Sequence, residues 1–158
     1  MKSRVATRKD VKQIAQILSE AYISLDSSSD LAEEAYFSEL KRGYHYVVTE
    51  HNGRIIGLSA WFYHGLPKHG LIEIDRFAVL PSYRRKKVAT QLFIFLLKNA
   101  QDFFRPNGRL RKVFLFTRAE NKIAHAFYRS LGFVKEGEAK RHFYDGKDDY
   151  IFSYYLNK

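Results

Sequence analysis

The spacing of apolar residues sets out most of the secondary structure. Ser3 to Ala6 reads as a short strand. Val11, Ile14, Ala15, Leu18 and Tyr22 then fall on one face of a helix. Thr7, with Asp10 three residues later, forms a capping-box variant at its start. The polar run Asp26-Ser27-Ser28-Ser29-Asp30 breaks this helix, and a second, less regular one carries Leu31, Ala35, Tyr36 and Leu40. Strands are predicted over 44–50 and 54–62. They join at Asn52-Gly53, where both residues tolerate the positive φ of a type I′ turn.

The stretch from Leu71 to Leu97 organises the chain. Leu71-Ile72-Glu73-Ile74-Asp75-Arg76-Phe77-Ala78-Val79 is too apolar and β-branched for a loop. Pro81 and Ser82 end it, and Arg84-Arg85-Lys86-Lys87 follow. Val88, Leu92, Phe95 and Leu96 then mark a core-facing helix. Strand, basic turn and helix in that order aim backbone N–H groups and a helix dipole at one spot, which suits a phosphate. The competing reading is a solvated basic turn.

Beyond a helix end near Phe103 and a turn at Pro106-Asn107-Gly108, Lys112 to Thr117 predicts a strand. A helix from about Lys122 stops at Gly132, a residue suited to the left-handed position after a helix. Strands over 138–144 and 149–156 close the chain as a hairpin around Asp145-Gly146. The order β-α-α-β-β-β-α-β-α-β-β predicts an α/β (α+β) fold. One mixed, mostly antiparallel sheet with flanking helices has room for one parallel crossover.

Composition narrows the function. At 158 residues and 46% hydrophobic content, one domain over 1–158 is the simplest organisation. The absence of cysteine excludes disulfides, thiolate catalysis and Cys-ligated metal. Six histidines show no metal-binding spacing. No apolar run reaches membrane-span length, and Met1 to Val5 lacks a signal peptide's apolar core, so a cytoplasmic protein with no membrane partner is expected. The net charge of +10 implies an anionic partner, either nucleic acid or a polyphosphate cofactor. No recognised nucleic-acid signature is present, which places that partner second. Eleven tyrosines suit a cleft that is both apolar and hydrogen-bonding.

Two segments resemble the GNAT superfamily of acetyl-CoA-dependent N-acetyltransferases. Val79-Leu80-Pro81-Ser82-Tyr83-Arg84-Arg85-Lys86-Lys87-Val88-Ala89-Thr90-Gln91-Leu92 is similar to the family's pyrophosphate loop, Gln/Arg-x-x-Gly-x-Gly/Ala. Asn121-Lys122-Ile123-Ala124-His125-Ala126-Phe127-Tyr128-Arg129-Ser130-Leu131-Gly132-Phe133 is similar to its Asn-x-x-Ala-x-x-Phe-Tyr-x-x-x-Gly-Phe helix. The resemblance implies a GNAT fold with a splayed strand pair, the strands ending after Val79 and Thr117. It also implies acetyl transfer from acetyl-CoA to a small-molecule or peptide primary amine, by direct attack in a ternary complex. A homodimer and a CoA-binding sensor without turnover both stay open.

Residue roles follow from the resemblance. Arg84 matches the motif's first position, and the amides of Arg85, Lys86, Lys87, Val88, Ala89 and Thr90 would cradle the diphosphate. The family's first loop glycine falls on Lys87, which is expected to keep ordinary helical φ and add a cation. Backbone groups of Phe77, Ala78 and Val79 would meet the pantetheine arm and polarise the thioester. Asn121 would hydrogen-bond that arm, or cap the helix, or do both. Ala124 and Phe127 belong to the same motif. Tyr128 matches the general acid, with a packing role as its alternative. That role is judged less fitting because Phe127 and Ile123 are expected to fill the apolar face. Glu73 is the general-base candidate, ahead of Asp75, since carboxylates inside an apolar strand must face a cleft or be paired. A salt bridge of Asp75 with Arg76 or Arg118 is the alternative. The amine pocket is expected along the Tyr22–Tyr36 helices, the Tyr63–Gly70 loop and the closing hairpin. His125 and His142 are weak candidates for chemistry.

Overall fold

A computed structural model describes residues 1–21 and 29–156. Tyr22 and the 26–28 break lie outside the described residues. The elements are β1 (Lys2–Val5), α1 (Val11–Ala21), α2 (Ser29–Lys41), β2 (His45–His51), β3 (Arg54–Tyr63), β4 (Leu71–Val79), α3 (Val88–Phe104), β5 (Lys112–Arg118), α4 (Lys122–Ser130), β6 (Val134–Tyr144) and β7 (Lys147–Tyr155). The seven strands form one sheet in the order β1-β2-β3-β4-β5-β7-β6. The ladders β1–β2, β2–β3, β5–β7 and β6–β7 are antiparallel, and β4–β5 is parallel. The α/β fold expected from the element order is the one observed.

The chain divides into two compact units, 1–62 with 76–100 and 63–75 with 101–158. In the first, Ile14, Ala15 and Leu18 of α1 pack with Tyr46, Val48, Ile55, Leu58 and Leu80. Arg4 donates to both oxygens of Asp10 at 2.7 and 2.9 Å, and Thr7 N–H donates to the same carboxylate at 2.7 Å, which ties β1 to the start of the helical segment. Helix α2 is turned relative to the prediction. Leu31 is 48% exposed, whereas Ala32, Tyr36 and Glu39 are buried at i, i+4 and i+7. The buried Glu39 accepts from Arg76 at 2.6 Å and from the Tyr46 hydroxyl, so the inward turn is satisfied by charge pairing. Gly57 of β3 is needed for close approach. A Cβ there would stand 3.2 Å from Ala78 O and 3.3 Å from Val88 Cγ1, where α3 begins.

In the second unit, Ile72, Val113, Leu115, Phe133 and Phe152 are buried. Strand β5 alternates, with Val113, Leu115 and Thr117 inward and Phe114, Phe116 and Arg118 half-exposed on the other face. Strand β6 starts at Val134, earlier than predicted, and its ladder with β7 is irregular between Ala139 and Tyr144. The charged residues of 134–138 broke the apolar pattern on an edge strand that needs little burial. Asn52 and Gly53 take φ of 51° and 74°, as a type I′ turn requires.

Candidate active site

The basic turn is held by its own backbone. Tyr83 N–H and Arg84 N–H close a turn of 3₁₀ helix onto Leu80 O and Pro81 O. Arg84 Nε donates to Val79 O at 3.2 Å, so the carbonyl ending β4 is engaged by the motif's own arginine. Arg84 has φ −66°, Arg85 φ 59° and Lys87 φ 60°. Arg84 is extended, with ψ 156°, so the two left-handed residues curl the chain tightly just ahead of α3. The first helical bond of α3 runs from Gln91 N–H to Lys87 O at 3.0 Å, leaving the amides of Val88, Ala89 and Thr90 ahead of it.

This corrects the expectation for Lys87. It does not keep helical φ; it takes the left-handed conformation that the family's glycine would supply. The backbone shape is retained at a cost of about 1–2 kcal/mol for a residue with a Cβ. Arg85, Lys86 and Lys87 side chains are all exposed, and Lys86 Nζ lies 5.4 Å from the Tyr83 ring centroid. The turn therefore fits a diphosphate on two grounds, amide geometry and charge.

In the other unit, Glu73 is 8% exposed and its Oε2 accepts from His64 Nε2 at 2.8 Å. Burial pushes the Glu73 carboxyl above the ordinary carboxylate range; the His64 hydrogen bond opposes this, Asp75 adds to it and His142 offsets it. Arg76 pairs with Glu39 at 2.6 Å and Arg118 with Asp149 at 3.7 Å. The β4–β5 ladder sets Leu71, Ile72 and Glu73 against Lys112, Val113 and Phe114.

Helix α4 begins at an N-cap. Asn121 Oδ1 accepts from Ala124 N–H at 3.1 Å, so the capping role is made. The apolar face differs from the prediction. Ile123 is 86% exposed, and the buried position belongs to His125, 2% exposed. His125 bonds Arg118 O at 2.9 Å and stacks on Tyr150 and Phe152, a core histidine. Tyr128 is half-buried, its ring 5.6 Å from Phe133 and 6.2 Å from Phe152.

Glu73 and Tyr128 thus belong to the same unit but to opposite faces of its strands. Glu73 is level with Phe114, whereas Tyr128 packs on the Phe152 side of β7. The sequence reading missed His64 as the partner of Glu73. It also missed Phe114, Phe116 and His142 as its surroundings. The period-2 pattern of β5 places both phenylalanines on one face, where they are half-exposed.

The sequence profile of the acetyltransferase (GNAT) family matches residues 11–133. The chain belongs to that family, whose members generally use acetyl-CoA. No curated protein sequence matches it. Solved structures share its fold. A ribosomal-protein-alanine N-acetyltransferase from Brucella melitensis has TM-score 0.75 and 20% identity, covering 99% of this chain and 100% of that one. A spermidine N-acetyltransferase variant from Vibrio cholerae has TM-score 0.77 and 22% identity, covering 98% and 95%. An aminoglycoside 6'-N-acetyltransferase complexed with coenzyme A has TM-score 0.80 and 15% identity, covering 100% and 98%.

Proposed function

We propose that this chain, read as one GNAT domain over 1–158, is an N-acetyltransferase that moves an acetyl group from acetyl-CoA to a primary amine. The amine attacks directly. The observation that supports this best is the left-handed φ of Arg85 and Lys87 just ahead of the unbonded first amides of α3, a costly backbone for two non-glycine residues and one that suits a ligand-binding turn. Those amides and the neighbouring cations would hold the diphosphate, and Asn121 and the backbone of Phe77 to Val79 would hold the pantetheine arm. Acetyl-CoA supplies an activated thioester.

The chain's own residues move the protons. Glu73 Oε2 takes the proton that an ammonium must lose before it is nucleophilic, and His64 holds that carboxylate in place. Tyr128 Oη, a phenol, offers a proton to the departing sulfur. The protein acts without a covalent acyl-enzyme, as the lack of cysteine suits.

An amine panel with free-thiol detection tests this reading, together with calorimetry of coenzyme A binding. Coenzyme A should bind, and at least one amine should release thiol. Tyr128→Phe should lower kcat by about 100-fold with little change in KM for acetyl-CoA. No heat with coenzyme A would overturn the proposal, and unchanged kcat in Tyr128→Phe would remove that residue from it.

A further inference from the structure

The face of β5 that carries Phe114 and Phe116 holds more than a proton acceptor needs. The β5–β7 register places Lys112, Phe114, Phe116 and Arg118 opposite Tyr155, Ser153, Ile151 and Asp149, all on one side. Glu73 is level with Phe114. From that carboxylate an aromatic track runs outward. The His64 ring lies 5.2 Å from Phe114, Phe114 lies 6.0 Å from Phe116, and His142 stacks on Phe116 at 4.7 Å with the planes 12° apart. Phe143 meets Phe116 edge-on at 5.5 Å. His142 and Phe143 lie in the stretch of β6 where the ladder with β7 is irregular, next to Arg141 at φ 45°.

These rings are not core. Phe114 and Phe116 are half-exposed, and Phe143 is 53% exposed. An open π face attracts cations through its quadrupole and offers apolar surface at the same time. Asp75 contributes a second carboxylate whose field reaches Glu73. At the far end of the face, Asp149 is 2% exposed, and its buried Oδ2 has no hydrogen-bond partner. Among the described residues no group of three or more His, Asp or Glu could hold a metal ion.

We propose that the acceptor is a primary ammonium borne on an aromatic or branched apolar group, with its nitrogen beside Glu73 and its hydrocarbon on Phe114, Phe116 and His142. The acetyl-transfer reading says what happens to this amine, but the binding does not depend on it. A polycation such as a polyamine fits poorly. Its slender methylene chain would cover less of the rings than an aromatic or branched group, and Lys112 and Arg118 on this face are already paired with Glu136 and Asp149. A free aralkylamine and the α-amine of a peptide with an N-terminal aromatic residue share the required chemistry.

The probes are phenethylamine, a tetrapeptide with N-terminal phenylalanine and free α-amine, and spermidine. Each is titrated against the full chain by calorimetry and by NMR of the His64 and His142 imidazoles, with and without coenzyme A. Thiol release is then measured with acetyl-CoA. The two aromatic amines should shift both imidazoles and bind at least about tenfold more tightly than spermidine. Whichever has the higher kcat/KM identifies the source of the acceptor. Phe116→Leu keeps an apolar side chain but removes the ring, and should weaken aromatic-amine binding about fivefold, with KM for acetyl-CoA unchanged. Phe143→Ala, at an exposed position, should act in the same direction.

Tighter binding of spermidine, or imidazoles that no aromatic amine shifts while coenzyme A binds, would overturn the assignment. Aromatic amines that bind while coenzyme A does not would support the site and defeat acetyl transfer.

Discussion

At the basic turn, every charged side chain from Arg84 to Lys87 is exposed, and the backbone does the fitting, with φ near +60° at Arg85 and Lys87. On the β4–β5 face the reverse holds. The strands are regular there, Glu73 is buried, and side chains from several elements make the arrangement. The contrast shows what each ligand chemistry asks of a protein. A diphosphate presents many equivalent oxygens, so a curved run of amides with cations around it meets the need with local sequence alone. An amine must be bound and then deprotonated. That requires one carboxylate with a tuned environment, and tuning takes neighbours distant in the chain, such as His64 and His142.

The strongest way to break this contrast is Glu73→Gln. If Glu73 is the tuned base, kcat/KM for the amine falls by about 10²–10⁴, while coenzyme A binding at the basic turn is untouched. Burial disfavours the ionised carboxylate, so the wild-type rate should rise with pH along a limb displaced above the ordinary carboxylate range. That limb should vanish in the variant. A normal pH–rate profile for Glu73→Gln would return the residue to a structural role.

A second substitution, away from both regions, calibrates losses that arise from folding alone. Arg4 holds the Asp10 carboxyl at about 2, below its ordinary 3.8. A depressed carboxylate stabilises the fold above the unfolded value, and that contribution is lost as pH falls through about 2. Asp10→Asn should therefore cost about 2 kcal/mol at pH 7 and progressively less toward pH 2. Urea midpoints across that range measure it. An equal loss at every pH would show that packing, not charge, sets its role.

The smallest effect sharpens the account of the turn. Lys87→Gly should raise stability by about 1 kcal/mol, because glycine accepts φ 60° without a Cβ penalty. Coenzyme A affinity should stay within about tenfold, since the amides are already arranged. Lys87→Val should lose stability, as a β-branched residue tolerates that φ least. If Lys87→Gly tightened binding far beyond tenfold, the lysine side chain would be an obstruction rather than an added cation.

The residue order alone determined the elements, the mixed sheet and the family motifs, because periodicity, turn chemistry and capping act over a few neighbouring positions. Val88, Leu92 and Leu96 are buried as their spacing required, and Asn121 caps α4 as its type suggested. Only the tertiary structure decided which way a face turns when apolar and polar residues compete for it. Leu31 and Ile123 face outward, while Glu39 and His125 are buried, since Arg76 and Tyr46 satisfy one and the Arg118 carbonyl and aromatic rings satisfy the other. It likewise decided that Lys87 imitates a glycine, and that His64 reaches Glu73 across nine positions of sequence. A buried polar group is stable only with its partner, and long-range partners become visible only when the chain has folded.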